Sequence, residues 1–108
     1  MDAKDSCVAV IFTSTRASDH DEDYALLATQ MDELVRLQPG YLNHVSVRDP
    51  VTREGITVAY FTDEESVALW GNVAEHAEAQ QLGRSTFYSE YAVQVSHVLR
   101  SYRFPRVE

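Results

Sequence analysis

Tyr24, Leu27, Ala28, Met31, Leu34 and Val35 recur at i, i+3, i+4, i+7, i+10 and i+11, a narrow apolar stripe that only an α-helix gathers on one face. Such a helix needs a second layer to cover the stripe. Four acids between Ser18 and Asp23 fill what would be its first turn, Ser18 and Asp21 have nearly the spacing of a capping box, and Arg36 lies near the far end. Pro39-Gly40 stops it, because proline disfavours helix at the residue before it and glycine accepts helix-exit angles. Upstream, Cys7 to Phe12 is apolar at both alternating sets of positions, which suits a central strand covered on both sides.

Two more strands are expected at Tyr41 to Arg48 and Gly55 to Phe61, joined as a hairpin across the Asp49-Pro50 turn. Thr62-x-x-Glu65 and Asn72-x-x-Glu75 both match the capping-box spacing. They predict two short helices broken at Gly71, the second ending at Gly83. Tyr88 to Arg103 then reads as one long strand with Tyr91, Val93, Val95, His97 and Leu99 on one face. The order βαββαβ, its second helix split, is the α+β ferredoxin-like arrangement: a four-stranded antiparallel sheet with helices on one face.

The 108 residues, 44% of them hydrophobic, suit one compact domain spanning 1–108. A net charge of -8 opposes the phosphate attraction on which nucleic-acid and anionic-membrane binding rest, so neither partner is expected. The longest apolar run, Cys7 to Phe12, is far too short to span a bilayer. Met1 to Asp5 lacks a basic-then-apolar leader. A cytoplasmic protein is expected. The single cysteine, Cys7, heads an apolar strand and suits a small core residue better than a nucleophile.

A sheet with helices on one face leaves the other bare. Several of Val8, Val10, Phe12, Val93, Val95 and Leu99, or their alternating neighbours, are expected there. Burying about 800 Å² per partner is usual for a stable interface, so a two-fold homodimer is the expected assembly, with a charge at Val95 dissociating or unfolding it.

Gln38-Pro39-Gly40-Tyr41-Leu42, Ala68-Leu69-Trp70, Glu75-His76, Ala79-Gln80, Gly83-Arg84, Phe87-Tyr88, Tyr91-x-Val93-x-Val95 and Arg100-x-Tyr102 together resemble the antibiotic biosynthesis monooxygenase domain family. The similarity runs roughly from Cys7 to Phe104 and rests on order and spacing rather than on any single piece. It implies a ferredoxin-like dimer whose sheets combine into an α/β barrel, with a pocket between sheet and helices in each protomer. Some members oxidise phenolic polyketides to quinones with molecular oxygen and neither metal nor flavin. Relatives of the same fold degrade haem, isomerise lactones or answer to stress.

Two departures stand out. Quinone-forming members place an asparagine one helical turn before the helix tryptophan, where this chain has Ser66. Haem-degrading members carry an asparagine on the first strand, and Cys7 to Phe12 has none.

The catalytic candidates are His76, Trp70 and Arg84; the pocket candidates are Tyr60, Tyr88, Tyr91, His44 and His97. Each has a plainer alternative. Trp70 can be a core anchor or an aromatic platform. His76 can be a general base or a solvated surface group. Arg84 can hold an anionic oxygen or complement the helix carbonyls behind it. His44 and His97 alternate with apolar strand residues and can be satisfied core or interface groups, and the tyrosines can be packing residues alone. The acids from Asp19 to Asp23 suit a solvated helix start rather than a metal site.

The expected function is a cofactor-independent monooxygenase acting on an aromatic or polyketide-like compound, with no metal. His76 would be its base, Arg84 its anion partner, and Trp70, Tyr60 and Tyr88 its walls. The alternative is a non-catalytic dimeric protein that holds a small apolar ligand or serves in stress response.

Overall fold

The computed structural model describes residues 6–81 and 84–105, with the side chains of Gln81, Arg84 and Ser85 outside that description. Its elements are β1 (Val8–Arg16), α1 (Asp21–Arg36), β2 (Tyr41–Arg48), β3 (Glu54–Phe61), α2 (Glu64–Gln81), α3 (Arg84–Phe87) and β4 (Tyr88–His97). The strands form one antiparallel sheet in the order β2-β3-β1-β4. This is the ferredoxin-like arrangement, with β1 central as its two-sided apolarity requires.

Alternation along paired strands decides what each face carries. Val10 lies opposite Ala59 on one side and Val95 on the other; Phe12 lies opposite Thr57 and Val93. These residues face the helices. Beneath α1 and α2, Val35, Ala59 and fully buried Phe61 form a core cluster with Val10, Tyr41, Val67 and Trp70 against it. A second cluster joins Leu27, Ala77 and Phe87. Burying a side chain such as Phe61 contributes about 1.5–3 kcal/mol.

The register decides between the two sets of strand residues expected on the bare face. Val8, Val10, Phe12, Val93 and Val95 lie on the helix side, so the bare face carries their neighbours Ala9 and Ile11 with Val45, Val47, Ile56, Val58 and Tyr60.

Three local expectations also change. Helix α2 runs unbroken through Gly71; a helical glycine costs about 1 kcal/mol but breaks no hydrogen bond, and amides inside a helix are already bonded one turn back, so Asn72 has none to cap. The working cap is Asp63, whose Oδ1 accepts the Ser66 N–H at 2.8 Å. Helix α1 starts after His20, which is left-handed at φ 63 and makes no side-chain cap, so Ser18 plays no such part. Strand β4 stops at His97 because its partner β1 begins at Val8, opposite it. The Val98 N–H reaches the Cys7 carbonyl at 2.9 Å, and beyond that point Leu99, Tyr102 and Phe104 stand exposed. The expected helix stop at Gly83 lies outside the described residues.

Gly40 is needed where α1 turns into β2. It has φ +78, and a Cβ there would collide with the Ser66 hydroxyl and meet Thr62 Oγ1 at 2.6 Å. No described helix is long and apolar enough to cross a membrane.

Candidate functional site

A cavity of about 490 Å³ opens between the sheet and the two helices, within the size range of small-molecule sites. Its apolar walls are Val10, Phe12, Val93 and Val95 from the sheet, Met31 and Val35 from α1, and Val67, Trp70 and Ala74 from α2. Polar groups gather at two places, one around His44 and one around Arg48, both residues of edge strand β2.

The first depends on an irregularity. Residues three apart on a regular strand point to opposite faces, but the β2–β3 register shifts between Tyr41 and Asn43. Tyr41 lies opposite Phe61 and His44 opposite Ala59, both partners on the helix side, so the bulge returns Tyr41 and His44 to one face. The Tyr41 hydroxyl then sits 2.7 Å from His44 Nδ1, and His44 Nε2 sits 2.8 Å from Asp32 Oδ1 on α1. The His44 side chain is only 10% exposed. Arg36 Nε donates to Asp32 Oδ2 at 3.1 Å. This guanidinium, and then His44, hold the Asp32 carboxyl below its ordinary range. An ionised Asp32 can only accept, so His44 donates to it through Nε2–H, and in the tautomer with its one proton there Nδ1 accepts from the Tyr41 hydroxyl.

The second group lies four residues further along β2. Arg48 donates through Nη1 to the carbonyls of Arg53 (2.7 Å) and Ser14 (3.3 Å), and through Nη2 to Ser14 Oγ (2.7 Å) and the Tyr24 hydroxyl (3.4 Å). A Cβ at Gly55 would meet the Arg48 guanidinium carbon at 2.6 Å, so glycine there makes room for the arginine. Tyr24 also stacks beneath Arg16, 4.1 Å from ring centroid to guanidinium. Tyr88 lies edge-on to Tyr24 at 5.9 Å. Burial first, and then the neighbouring Tyr24 phenol, push the Tyr88 phenol well above its ordinary range. Glu78 of α2, 3% exposed, completes this corner.

The candidate residues taken from the sequence separate. Trp70, His44 and Tyr88 line the cavity. Tyr91 faces the same side but flanks the lining, its ring stacked on Phe12 at 5.8 Å. Tyr60 belongs to the bare face of the sheet, opposite Ala9 and Asn43. His97 stands exposed at the end of β4, 3.8 Å from Glu64. His76 points away from the cavity, into a groove between α1 and α2 that also takes in Gln30, Leu34, Asn72 and Gln80. The side chain of Arg84, at the start of α3, lies outside the described residues.

Sequence reasoning missed Tyr24, Asp32, Arg48 and Glu78 as cavity residues. Glu78 left a trace. Val67, Trp70, Gly71, Ala74 and Glu78 stand at i, i+3, i+4, i+7 and i+11, so a carboxylate occupies an otherwise buried helical stripe. Asp32 gave no such signal, because its i,i+4 pairing with Arg36 looks like an ordinary surface ion pair.

This architecture occurs in proteins of quite different sequence. The structure matches that of PA3566 from Pseudomonas aeruginosa, with a TM-score of 0.69 at 16% identity over 85% of this chain and 93% of that one. It also matches a conserved protein from Methanosarcina mazei, with a TM-score of 0.73 at 9% identity over 87% and 94%. A third match is SnoaB, a cofactor-independent oxygenase from Streptomyces nogalater, with a TM-score of 0.66 at 12% identity over 94% and 99%. At these identities the likeness is one of fold. No family model matches the sequence. The uncharacterized protein YqjZ of Bacillus subtilis is 41% identical over 96 residues, 89% of this chain and 82% of YqjZ. The chain belongs to the family of YqjZ.

Proposed function

We propose that this chain is a cofactor-independent oxygenase of the antibiotic biosynthesis monooxygenase type, acting on an aromatic or polyketide-like small molecule. The observation that carries the proposal is the cavity itself, apolar and flanked by Trp70, with the Asp32–His44–Tyr41 chain on its edge. An electron-rich phenol needs only three things from such a protein: a dry site, removal of a proton and support for the anion. His44 replaces His76 as the base. A substrate hydroxyl that reaches Nδ1 in place of Tyr41 gives up its proton there, and Asp32 stabilises the imidazolium that forms. Oxygen is the oxidant and the substrate the reductant: a CH₂ group becomes a carbonyl, and the second oxygen atom leaves as water with the two hydrogens. SnoaB, as a cofactor-independent oxygenase of the same fold, supports this reading.

Trp70 is the chain's single tryptophan, so its fluorescence reports on the cavity. Anthrone-like and phenolic compounds should quench it, and bound substrate should consume oxygen and gain the mass of a carbonyl product. His44→Phe should abolish the consumption. Tight binding with no oxygen uptake for any such compound would make the protein a ligand carrier rather than an oxygenase.

We further propose that a second copy covers the bare sheet face. Val45 and Val47 there are 61% and 60% exposed, and Asn43, whose residue faces the same side, has a buried Oδ1 with no hydrogen-bond partner. Val47→Asp should dissociate the pair on sedimentation, whereas a charge at Val95 would enter the cavity. A folded wild-type monomer at micromolar concentration overturns this assembly.

A further inference from the structure

Glycine inside a helix is destabilising relative to alanine, because it gives up the most backbone freedom on folding. Three structural needs can justify it: a left-handed backbone, a close neighbour or a break in the helix. Gly71 serves none of them. Helix α2 runs through it from Glu64 to Gln81, its φ is not in the left-handed range, and a Cβ there meets nothing within 4 Å. Gly40 and Gly55 differ, since a Cβ at either collides with a neighbouring side chain.

The position of Gly71 supplies a fourth reason. Val67 lies four residues before it and Ala74 three after it, so the three share one face of α2. All three line the cavity, with Trp70 beside them. A side chain at position 71 would therefore stand in the cavity, and the open space next to the glycine is ligand space. Resting on the reading of the cavity as an aromatic-binding site, we infer that Gly71 determines specificity: it keeps room for a flat ligand of fused rings, which lies against the bared backbone of α2 next to the Trp70 indole.

Dispersion attraction is forfeited once a gap of an ångström opens between surfaces, so a flat ligand gains from a wall only if it can reach it. A fused-ring ligand long enough to touch Trp70 and the backbone at Gly71 together uses the space the glycine leaves. A single ring does not need that space, because the cavity of about 490 Å³ offers it room elsewhere. Carbon atoms added at position 71 should therefore discriminate by ligand size. The first of them also removes the glycine penalty from the ligand-free helix, so stability and fused-ring binding move in opposite directions. A glycine retained for a structural need would show the reverse, a loss of stability with the first carbon added.

The test uses p-cresol, β-naphthol and anthrone, with one, two and three rings, each titrated into the full chain without oxygen and followed by calorimetry. The variants are Gly71→Ala, Gly71→Leu and, as a control, Ala79→Leu, which adds a side chain at an exposed position of α2. Wild-type affinity should rise from p-cresol to anthrone. Gly71→Leu should lower anthrone affinity by about tenfold, as overpacking an occupied site does, with p-cresol affinity within about twofold of wild type. Gly71→Ala should lower anthrone affinity by about threefold while raising the melting temperature. Ala79→Leu should leave the series unchanged. If Gly71→Leu does not fold by circular dichroism, Gly71→Ala carries the test alone. Undiminished anthrone binding in the variant that carries the test, an equal loss for p-cresol, a similar loss in Ala79→Leu, or a wild-type protein that takes p-cresol and refuses anthrone overturns the inference. Binding of none of the three compounds by wild type overturns the aromatic-binding reading beneath it.

Discussion

Trp70 and His76 stand six residues apart on one helix and face opposite sides of the fold. Trp70 lines the cavity, while His76 opens into the groove between α1 and α2. Six residues turn a helix by about 240°, so no single face holds both. Nearness in sequence grouped them as partners; the unbroken helix α2 separates them. The histidine that does line the cavity is His44, remote in sequence and placed on the helix side by the register of β2 past its bulge.

Trp70→Ala is the strongest probe of this contrast. It removes a large ring from the core cluster and from the cavity wall, and should cost about 2–4 kcal/mol in denaturant unfolding together with ligand binding followed by calorimetry. Full stability after the change would mean that the ring packs against nothing.

Acid should act next, through the cap that starts the same helix. The Ser66 backbone N–H lowers the Asp63 carboxyl below its ordinary value. A lowered folded-state value gives stability that is present above the unfolded value near 4 and is lost as pH falls through the folded one. Asp21, bound by Arg53 and Arg16, and Asp32, bound by Arg36 and His44, share that sign. Melting temperature should therefore drop below pH 4, and Asp63→Ala should lower it at neutral pH while flattening the acid slope. An unchanged slope in this variant would remove Asp63 as the cap.

Gly71→Ala sharpens the picture of one continuous helix. A Cβ there meets nothing within 4 Å, so the change should stabilise the protein by about 0.5–1 kcal/mol. Destabilisation would point to a break at Gly71 after all. The smallest effect belongs to His76→Ala: a stability change within about 0.5 kcal/mol, and quenching of Trp70 by phenols at the wild-type concentration. Loss of oxygen uptake in this variant alone would return His76 to the mechanism.

Much of the fold was legible because it depends on local periodicity. The stripe from Tyr24 to Val35, the Pro39-Gly40 stop, the hairpin across Asp49 and the two-sided apolar β1 each mark an element without knowledge of the rest. The errors arose where a local signal met a non-local constraint. Asn72-x-x-Glu75 looks like a helix start only if the amides ahead of it are free, and α2 had already bonded them. Tyr88 to Arg103 has strand composition throughout, yet its ladder lasts only as long as β1 lies beside it. For the site, Trp70, Tyr88 and His44 were legible as residues, but their grouping was not.

The amino-acid sequence by itself determined the element order, the ferredoxin-like class and the identity of the side chains able to do chemistry, since these follow from spacing along the chain and from residue type. Tertiary structure alone decided which of them meet. Strand register chose the face of every β residue, because a shift of one position exchanges the two faces. The bulge after Tyr41 joined Tyr41, His44 and Asp32 and set Arg48 on the same face, and the packing of α1 and α2 on the sheet turned Glu78 inward and left His76 outside. Such contacts link residues far apart in the chain, and no local pattern encodes the distance between them.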